Sequence, residues 1–327
     1  MNHVKIRTIS TYHPATKIGN EPFLEHFHSI GKDIEHFLHH MGRNERYVIT
    51  DPQENSLTMG IAAAKNVLKK ADLQGADIDM IIFSSQTPEF TVPTNATFIH
   101  KAIGGAHHTH VIDMNSNCGG MMAAVDHACR YMMADSRMQR ALVIGSDYNR
   151  VYSNPDDEIT SPNFGDLAVA LILEQSDKPG YLDSHYYVNT SISDHIKFPE
   201  KGLSHMLQNN TNNNYMLWKP FDTDICLPPA YRSISDMLER NNLTKDDIAI
   251  FCLSQFSKDT ILKIQENLTL SPHQIGYYGD QFGYTGTSSP FLALHEAIKE
   301  GKVQRGDYIL FWTVGGGIQN VTMLFQY

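Results

Sequence analysis

No stretch of this 327-residue chain is both apolar enough and long enough to cross a bilayer, and the opening Met1-Asn2-His3-Val4-Lys5-Ile6 carries no apolar run of signal-peptide length. A cytoplasmic protein without a membrane partner is the expectation. Cysteine is scarce: Cys118, Cys129, Cys226 and Cys252 are scattered without CxxC spacing, which argues against a zinc site and against a disulfide framework. Positive charge is short as well, with 26 Lys and Arg against 36 Asp and Glu and a formal net charge of -10. Neutralising phosphates needs clustered Lys and Arg, so no nucleic-acid partner is expected. The 17 histidines include no HExxH pattern. His36, His39 and His40 fall near the end of a predicted helix, and His107, His108 and His110 in a loop running into a strand, so no metal site is expected. A hydrophobic content of 41% and a charged content of 19% fit an ordinary globular protein, long enough for two fused halves.

What the chain does have is one well-placed thiol. His110-Val111-Ile112-Asp113-Met114 reads as a short buried strand, and Met121, Ala124, Val125, Ala128 and Met132 recur at helical spacing. Between them lies Asn115-Ser116-Asn117-Cys118-Gly119-Gly120, which puts Cys118 at a strand-to-helix corner. Unpaired N–H groups and a positive dipole end at the helix start favour thiolate and would stabilise an oxyanion. Gly119 and Gly120 are expected to let a substrate approach the backbone. The plainer alternative is a small residue filling a corner. Cys129, Cys226 and Cys252 lie in apolar surroundings and read as structural.

The order of elements occurs twice. Ala76-Asp77-Ile78-Asp79-Met80-Ile81-Ile82-Phe83-Ser84-Ser85-Gln86 parallels Lys245-Asp246-Asp247-Ile248-Ala249-Ile250-Phe251-Cys252-Leu253-Ser254-Gln255, each an apolar strand ending in Ser-Gln. The first is followed by a helix, the strand before Cys118, a helix to about residue 133 and a strand over 140–146. The second is followed by a helix over 259–267, a strand-like 274–278, a helix over 289–300 and a strand over 308–313. The repetition predicts two duplicated α/β halves about a pseudo-twofold axis, each with helices on its sheet faces. The expected halves are 1–176 and 177–327, divided after the strand 168–174 at the polar Gln175-Ser176-Asp177-Lys178-Pro179-Gly180. An Asn-rich tract, Asn209-Asn210-Thr211-Asn212-Asn213-Asn214, precedes Tyr215-Met216-Leu217-Trp218; it reads equally as a loop leading to a cover for a substrate tunnel and as a plain surface insertion.

Five fragments in order carry a resemblance. Gly42-Arg43-Asn44-Glu45-Arg46, Thr87-Pro88-Glu89-Phe90-Thr91-Val92-Pro93, Asn163-Phe164-Gly165-Asp166-Leu167-Ala168, Gly283-Tyr284-Thr285-Gly286-Thr287 and Val314-Gly315-Gly316-Gly317 resemble, in turn, a Gly-Ile-x-Glu-Arg-Arg turn, a Thr-Pro-Asp-x-x-x-Pro loop, Phe-Gly-Asp-Gly-Ala, Gly-Asn-Thr-x-Ala-Ala-Ser and a closing glycine loop. Over nearly its whole length the chain resembles the thiolase superfamily, and within it ketoacyl-ACP synthase III. That resemblance implies a thiolase-like fold layered α-β-α-β-α, with Cys118 as acyl-accepting nucleophile. It also implies an oxyanion hole from the Cys118 N–H and a backbone N–H of the Gly315–Gly317 loop, represented by Gly316. It places Phe256, Gly315 and Val92 at the substrate pocket, Val92 reaching into a partner's pocket across a dimer. No bound cofactor is implied; the substrate is an acyl-CoA or acyl-ACP thioester, and the partners are coenzyme A or an acyl carrier protein. The Trp and Arg of the family's coenzyme A clamp fall near His36 and His40, which leaves coenzyme A against carrier protein open.

The departures matter as much. The family's His-Gln-Ala-Asn stands here as Ser254-Gln255-Phe256-Ser257, and its Gly-Asn-Thr as Gly283-Tyr284-Thr285. Serine has no cationic form and no acceptor poised near neutral pH, and a tyrosine ring fills volume where an Asn side chain is expected. Losing two enolate stabilisers, each worth on the order of 3 kcal/mol, would slow malonyl decarboxylation by several powers of ten. The resemblance with these departures points to an acyltransferase that loads Cys118 and passes the acyl group to an acceptor without malonyl decarboxylation, in secondary-metabolite or fatty-acid-derived biosynthesis. The alternative is a non-catalytic or half-catalytic subunit paired with an active homologue, so homodimer and heterodimer both stay open. The retained cysteine favours the first and the missing His the second. His127, nine residues along the helix, points away from the thiol.

Overall fold

The computed structural model describes residues 3–209 and 215–327. The first half runs β1 (His3–Tyr12), β2 (Thr16–Ile18), α1 (Glu21–Ser29), α2 (Glu35–Met41), β3 (Arg46–Val48), α3 (Ser56–Ala71), β4 (Met80–Ser84), α4 (Asn95–Ile103), β5 (His110–Met114), α5 (Gly120–Ala134), β6 (Arg140–Asp147) and β7 (Leu167–Ser176). The second runs β8 (Tyr181–Val188), β9 (Ile196–Lys197), α6 (Leu203–Asn209), β10 (Leu217–Trp218), α7 (Leu227–Arg240), β11 (Ile248–Leu253), α8 (Lys258–Asn267), α9 (Gly279–Phe282), α10 (Ser289–Lys299), β12 (Tyr308–Gly315) and β13 (Gln319–Gln326).

Two sheets carry the halves. The first is ordered β1-β7-β6-β4-β5 and the second β8-β13-β12-β11. In each, one strand pairs parallel with its neighbour (β4 with β6, β11 with β12) and two antiparallel strands follow. Superposing the orders makes β4 the counterpart of β11 and β6 that of β12. The antiparallel members β1, β7, β8 and β13 extend the repeat beyond what the sequence comparison found.

The layering follows from which face of each strand is apolar. On β7, Leu167, Val169, Leu171 and Leu173 point to one core, and Ala168, Ala170 and Ile172 to another. On β12, Ile309 and Phe311 share the first of these cores, while Leu310 and Trp312 belong to a third. The shared core also holds Met121, Val125, Cys129 and Met132 of α5 and Phe291, Leu292 and Leu294 of α10, so these two helices lie between the sheets. With α3 and α4 outside the first sheet and α7 and α8 outside the second, five layers result. A strand buried on both faces has no polar face to show, which is why β4, β6 and β11 read as apolar runs rather than alternations.

The repeat breaks in one place. Residues 274–278, predicted strand-like, form no strand: Pro272–Gln274 make a single helical turn and only Ile275 bridges to Phe251. The fully buried Gln255 side chain takes the place of ladder bonds there, accepting the N–H of Tyr278 at 2.7 Å and of Gly279 at 3.2 Å and donating to the carbonyls of Leu253 at 2.8 Å and Gly276 at 3.3 Å. A side chain satisfying four backbone groups removes the need for a fifth strand.

Candidate active site

Cys118 stands in the short connection between β5 and α5. Asn117 before it has φ +51°, a left-handed conformation that Asn tolerates better than most residues, and its Nδ2 reaches over to the Gly316 carbonyl at 3.2 Å and Gln319 Oε1 at 3.3 Å. These bonds draw the β12–β13 turn onto the cysteine. A Cβ added to Gly315 would come 3.1 Å from Asn117 Cβ and 3.4 Å from the Cys118 nitrogen, so the turn lies close against the cysteine, and Gly317, at φ +74°, has the left-handed conformation that favours glycine.

The glycines after the thiol serve a different purpose from the one expected. Neither Gly119 nor Gly120 lines the cavity; a Cβ on Gly120 would come within 2.4 Å of Ser84 Oγ, so close packing of helix on strand, not access for substrate, requires glycine.

Cys118, Ser254, Tyr284, Phe256, Gly315 and Gly316 all line one cavity of about 370 Å³. Ser254 closes β11, its N–H bonded to the Trp312 carbonyl at 2.9 Å. Tyr284 is held by backbone bonds on either side, its N–H to Asn163 O at 2.9 Å and its carbonyl from Gly165 N at 3.0 Å. Phe256 lies face to face with Trp218, with centroids 5.7 Å apart, and edge to face with Tyr284 at 5.0 Å. The motif arginine Arg43 ties these segments together: fully desolvated, it donates to the carbonyls of Gln255 at 2.7 Å and Phe256 at 2.6 Å and to Asn163 Oδ1 at 2.5 Å. Its charge is spread over carbonyl oxygens, and its role is to hold the loops that carry Ser254, Phe256 and Tyr284.

Val92 does not line this cavity. It stands 85% exposed, apart from the other residues that the resemblance placed at the pocket. Cys226, read as merely structural, is a cavity residue. Met216, Trp218 and Phe221 also form the wall, so the apolar segment after the Asn-rich tract covers the site; residues 210–214 of the tract lie outside the described residues. His127 is exposed on α5, away from the cavity, and His40 lies 3.9 Å from Asp259 on the outside.

The thiol itself differs from expectation. Packing around Cys118 pushes its pKa up to about 11, with the buried Asp147 carboxylate adding to the rise; the Tyr284 hydroxyl, the Gln86 amide and the cysteine's own N–H pull it down. The helix terminus does not rescue the thiolate because its first amides are used elsewhere: Gly120 N–H bonds Asn117 O at 3.0 Å, and Met121 N–H bonds Thr287 Oγ1 at 2.6 Å. Cys118 rests as a neutral thiol.

Sequence reading missed the group beside it. The Cys118 thiol points at Gln86 Oε1, 3.8 Å away, and Gln86 Nε2 donates to Asp147 Oδ2 at 3.1 Å. Asp147 is buried at the end of β6 and also accepts from Gln86 N at 2.7 Å, Ser85 Oγ at 3.1 Å and Thr287 N at 2.8 Å; burial still holds its pKa above the ordinary carboxylate value. The repeated Ser-Gln was the available signal, since Gln86 and Gln255 end equivalent strands.

No Asp, Glu, Lys, Arg or His lines the cavity among the described residues. Among those residues, too, no group of three or more His, Cys, Asp or Glu is placed to hold a metal ion, and no helix is long and apolar enough to cross a membrane.

This arrangement of a strand-to-helix cysteine under a glycine turn, between two matched sheets, has close counterparts. The 3-oxoacyl-[acyl-carrier-protein] synthase III family matches residues 112–190, and its C-terminal part matches residues 238–327. The chain is 26% identical over 318 residues to a beta-ketoacyl-[acyl-carrier-protein] synthase III of Coxiella burnetii (strain CbuK_Q154), covering 97% of both. The crystal structure of 3-oxoacyl-[acyl-carrier-protein] synthase III from Aquifex aeolicus VF5 superposes with a TM-score of 0.86 at 24% identity, covering 99% of this chain and 100% of that one. The priming beta-ketosynthase of the R1128 polyketide biosynthetic pathway gives 0.87 at 20% identity, with 99% and 96% covered. Matched over more than half its residues and folded alike throughout, the chain belongs to the 3-oxoacyl-[acyl-carrier-protein] synthase III family of condensing and acyl-transferring enzymes in the thiolase superfamily.

Proposed function

We propose that this chain is an acyltransferase of the family that loads an acyl group from an acyl-ACP or acyl-CoA thioester onto Cys118 and passes it to a neutral acceptor, without decarboxylating malonyl thioesters. The observation that carries the reading is the uncharged wall of the Cys118 cavity, in which Ser254 and Tyr284 stand where the family pattern has His and Asn. An entering malonyl carboxylate would be desolvated with no counter-ion, and a forming enolate would have no imidazole beside it.

In the loading step the Cys118 sulfur attacks the thioester carbonyl carbon. The carbonyl oxygen takes up negative charge, which the Cys118 N–H and the Gly316 N–H are placed to receive in this reading. Collapse breaks the carbon–sulfur bond of the donor, whose thiolate leaves with the proton that Cys118 gives up. Transfer reverses the logic: an amine, hydroxyl, thiol or activated carbon of the acceptor bonds to the acyl carbon, the bond to Sγ breaks, and the acceptor's proton returns to sulfur. Thioester exchange tolerates a weak base because the leaving thiolate is a good one. Gln86, oriented by Asp147, keeps the thiol turned into the cavity.

The same reading takes 1–176 and 177–327 as the two duplicated units, a dimer as the assembly, and Val92 as a residue presented to a partner. Intact mass after incubation with a panel of acyl thioesters tests it: the wild type gains one acyl mass, Cys118→Ser gains none, and malonyl-ACP releases no carbon dioxide above background. The raised thiol pKa with no histidine in the cavity favours a second reading, a half-catalytic subunit that shapes the pocket of an active homologue. Absence of any adduct with the whole panel selects it.

A further inference from the structure

A hydrogen-bond acceptor beside Cys118 has its direction fixed from behind. Gln86 is partly exposed and lines the cavity, and its Oε1 takes the Cys118 S–H over 3.8 Å. At the other end of the amide, Nε2 donates to Asp147 Oδ2 at 3.1 Å. A carboxylate accepts and does not donate, so the amide nitrogen faces Asp147 and the oxygen faces sulfur. Asp147 is itself held in place: it is fully buried, and the Gln86 N–H, the Ser85 hydroxyl and the Thr287 N–H donate to it at 2.7, 3.1 and 2.8 Å.

Acylation takes away the partner of that oxygen. An acylated sulfur carries no proton, so Oε1 loses the donor it has in the free protein. Turning the amide round would set its oxygen against the Asp147 carboxylate, so the missing donor has to come from the acyl acceptor. The acceptor also gives a proton to sulfur when the bond to Sγ breaks. An alcohol, a thiol or a secondary amine has one proton for both duties, and a carbon nucleophile offers no N–H or O–H at all. A primary amine has two. Water has two as well, but Ile192, Ile196, Met216, Phe221 and Val314 give the cavity apolar surface that an organic amine covers and water does not. The Asp147 charge that disfavours thiolate at Cys118 also favours the positive charge an attacking nitrogen takes up.

We infer that the acyl acceptor is a primary amine, one N–H of which donates to Gln86 Oε1 while its nitrogen bonds to the acyl carbon, with Asp147 as the positioning residue that aims the amide. The carbon–sulfur bond breaks, the second proton of the nitrogen passes to Sγ, and the products are an N-substituted amide and the free thiol. This rests on the acyltransferase reading and names its acceptor. The test loads wild-type protein from the panel thioester that acylates it fastest, removes the excess, and follows loss of acyl mass with added benzylamine or n-butylamine. Each amine is set against its N-methyl derivative and the corresponding alcohol. Every rate is divided by that of the same acceptor with the free thioester in buffer, which removes intrinsic reactivity. At least one primary amine shows an enhancement about tenfold or more above its two counterparts and yields the amide. Gln86→Met, which keeps the side-chain length and loses the oxygen, and Asp147→Asn, which frees the amide to turn, are made separately because either can unfold. Each lowers that preference several-fold. Equal enhancement of all acceptors, free acid as the main product, or a preference unchanged in every folded variant overturns the inference and leaves acylation of Cys118 standing. Protein that gains no acyl mass from any thioester ends both.

Discussion

At the scale of the residue, the chemistry of this site turns on a thiol that is not pre-ionised. With its pKa pushed up to about 11, Cys118 is almost wholly protonated at neutral pH, and its thiolate fraction grows tenfold with each pH unit below that value. Alkylation of Cys118 by iodoacetamide, followed by peptide mapping, should therefore rise with a slope near one in log rate between about pH 7 and 9. A plateau below pH 8 would show a thiolate activated by something else. Tyr284→Phe removes a hydroxyl that favours the thiolate, so it should slow labelling several-fold at pH 8. Cys226 also lines the cavity, but its thiol is pushed higher, to about 12, and it should label several-fold more slowly than Cys118.

At the scale of the element, equivalent strand ends have taken different duties. Gln86 after β4 meets the Cys118 thiol, and Gln255 after β11 holds backbone. Gln255→Ala would strand the N–H groups of Tyr278 and Gly279 in a buried place, a loss on the order of 3 kcal/mol in unfolding free energy, read by denaturant titration. Ser254 and Tyr284 come from separate loops, both anchored through Arg43 and Asn163, and meet beside Cys118. Installing the family pair as Ser254→His with Tyr284→Asn should raise carbon dioxide release from malonyl-ACP more than the single changes combined, because both groups act on one transition state. A folded, acylating double variant with no gain would mean that this neutral cavity does not admit the malonyl group.

At the scale of the whole molecule, pH acts on stability through a buried carboxylate outside the cavity. Asp166 is fully buried between β3 and β7, with Oδ2 accepting the Ile49 N–H at 2.8 Å and Oδ1 unpaired, and burial raises its pKa to about 7. The folded value lies above the ordinary 3.8, so the native state binds the proton more tightly than the unfolded chain does. Its contribution is therefore fully present below about pH 4 and lost as pH rises through about 7. Melting temperatures measured from pH 5 to 8 should fall for the wild type and fall less for Asp166→Asn, which keeps an acceptor for the Ile49 N–H and cannot ionise. Equal slopes in the two proteins would contradict this account.

The sequence by itself determined the order of elements, the duplication and the corner that holds Cys118, because each rests on local pattern: apolar runs for strands buried on both faces, helical spacing for α5, and a shared Ser-Gln at two strand ends. The family was legible in five short fragments for the same reason. Tertiary structure alone decided the rest. Whether residues 274–278 form a strand depended on the Gln255 side chain reaching their backbone. The ionisation of Cys118 depended on how closely protein packs around it and on where the first amides of α5 point. Gln86 and Asp147 are far from Cys118 in sequence, and their relation to it exists only once the fold brings their strand ends to the middle of the molecule. Local pattern fixes what a segment becomes; desolvation and partnership, which set the chemistry, are properties of what the fold places around it.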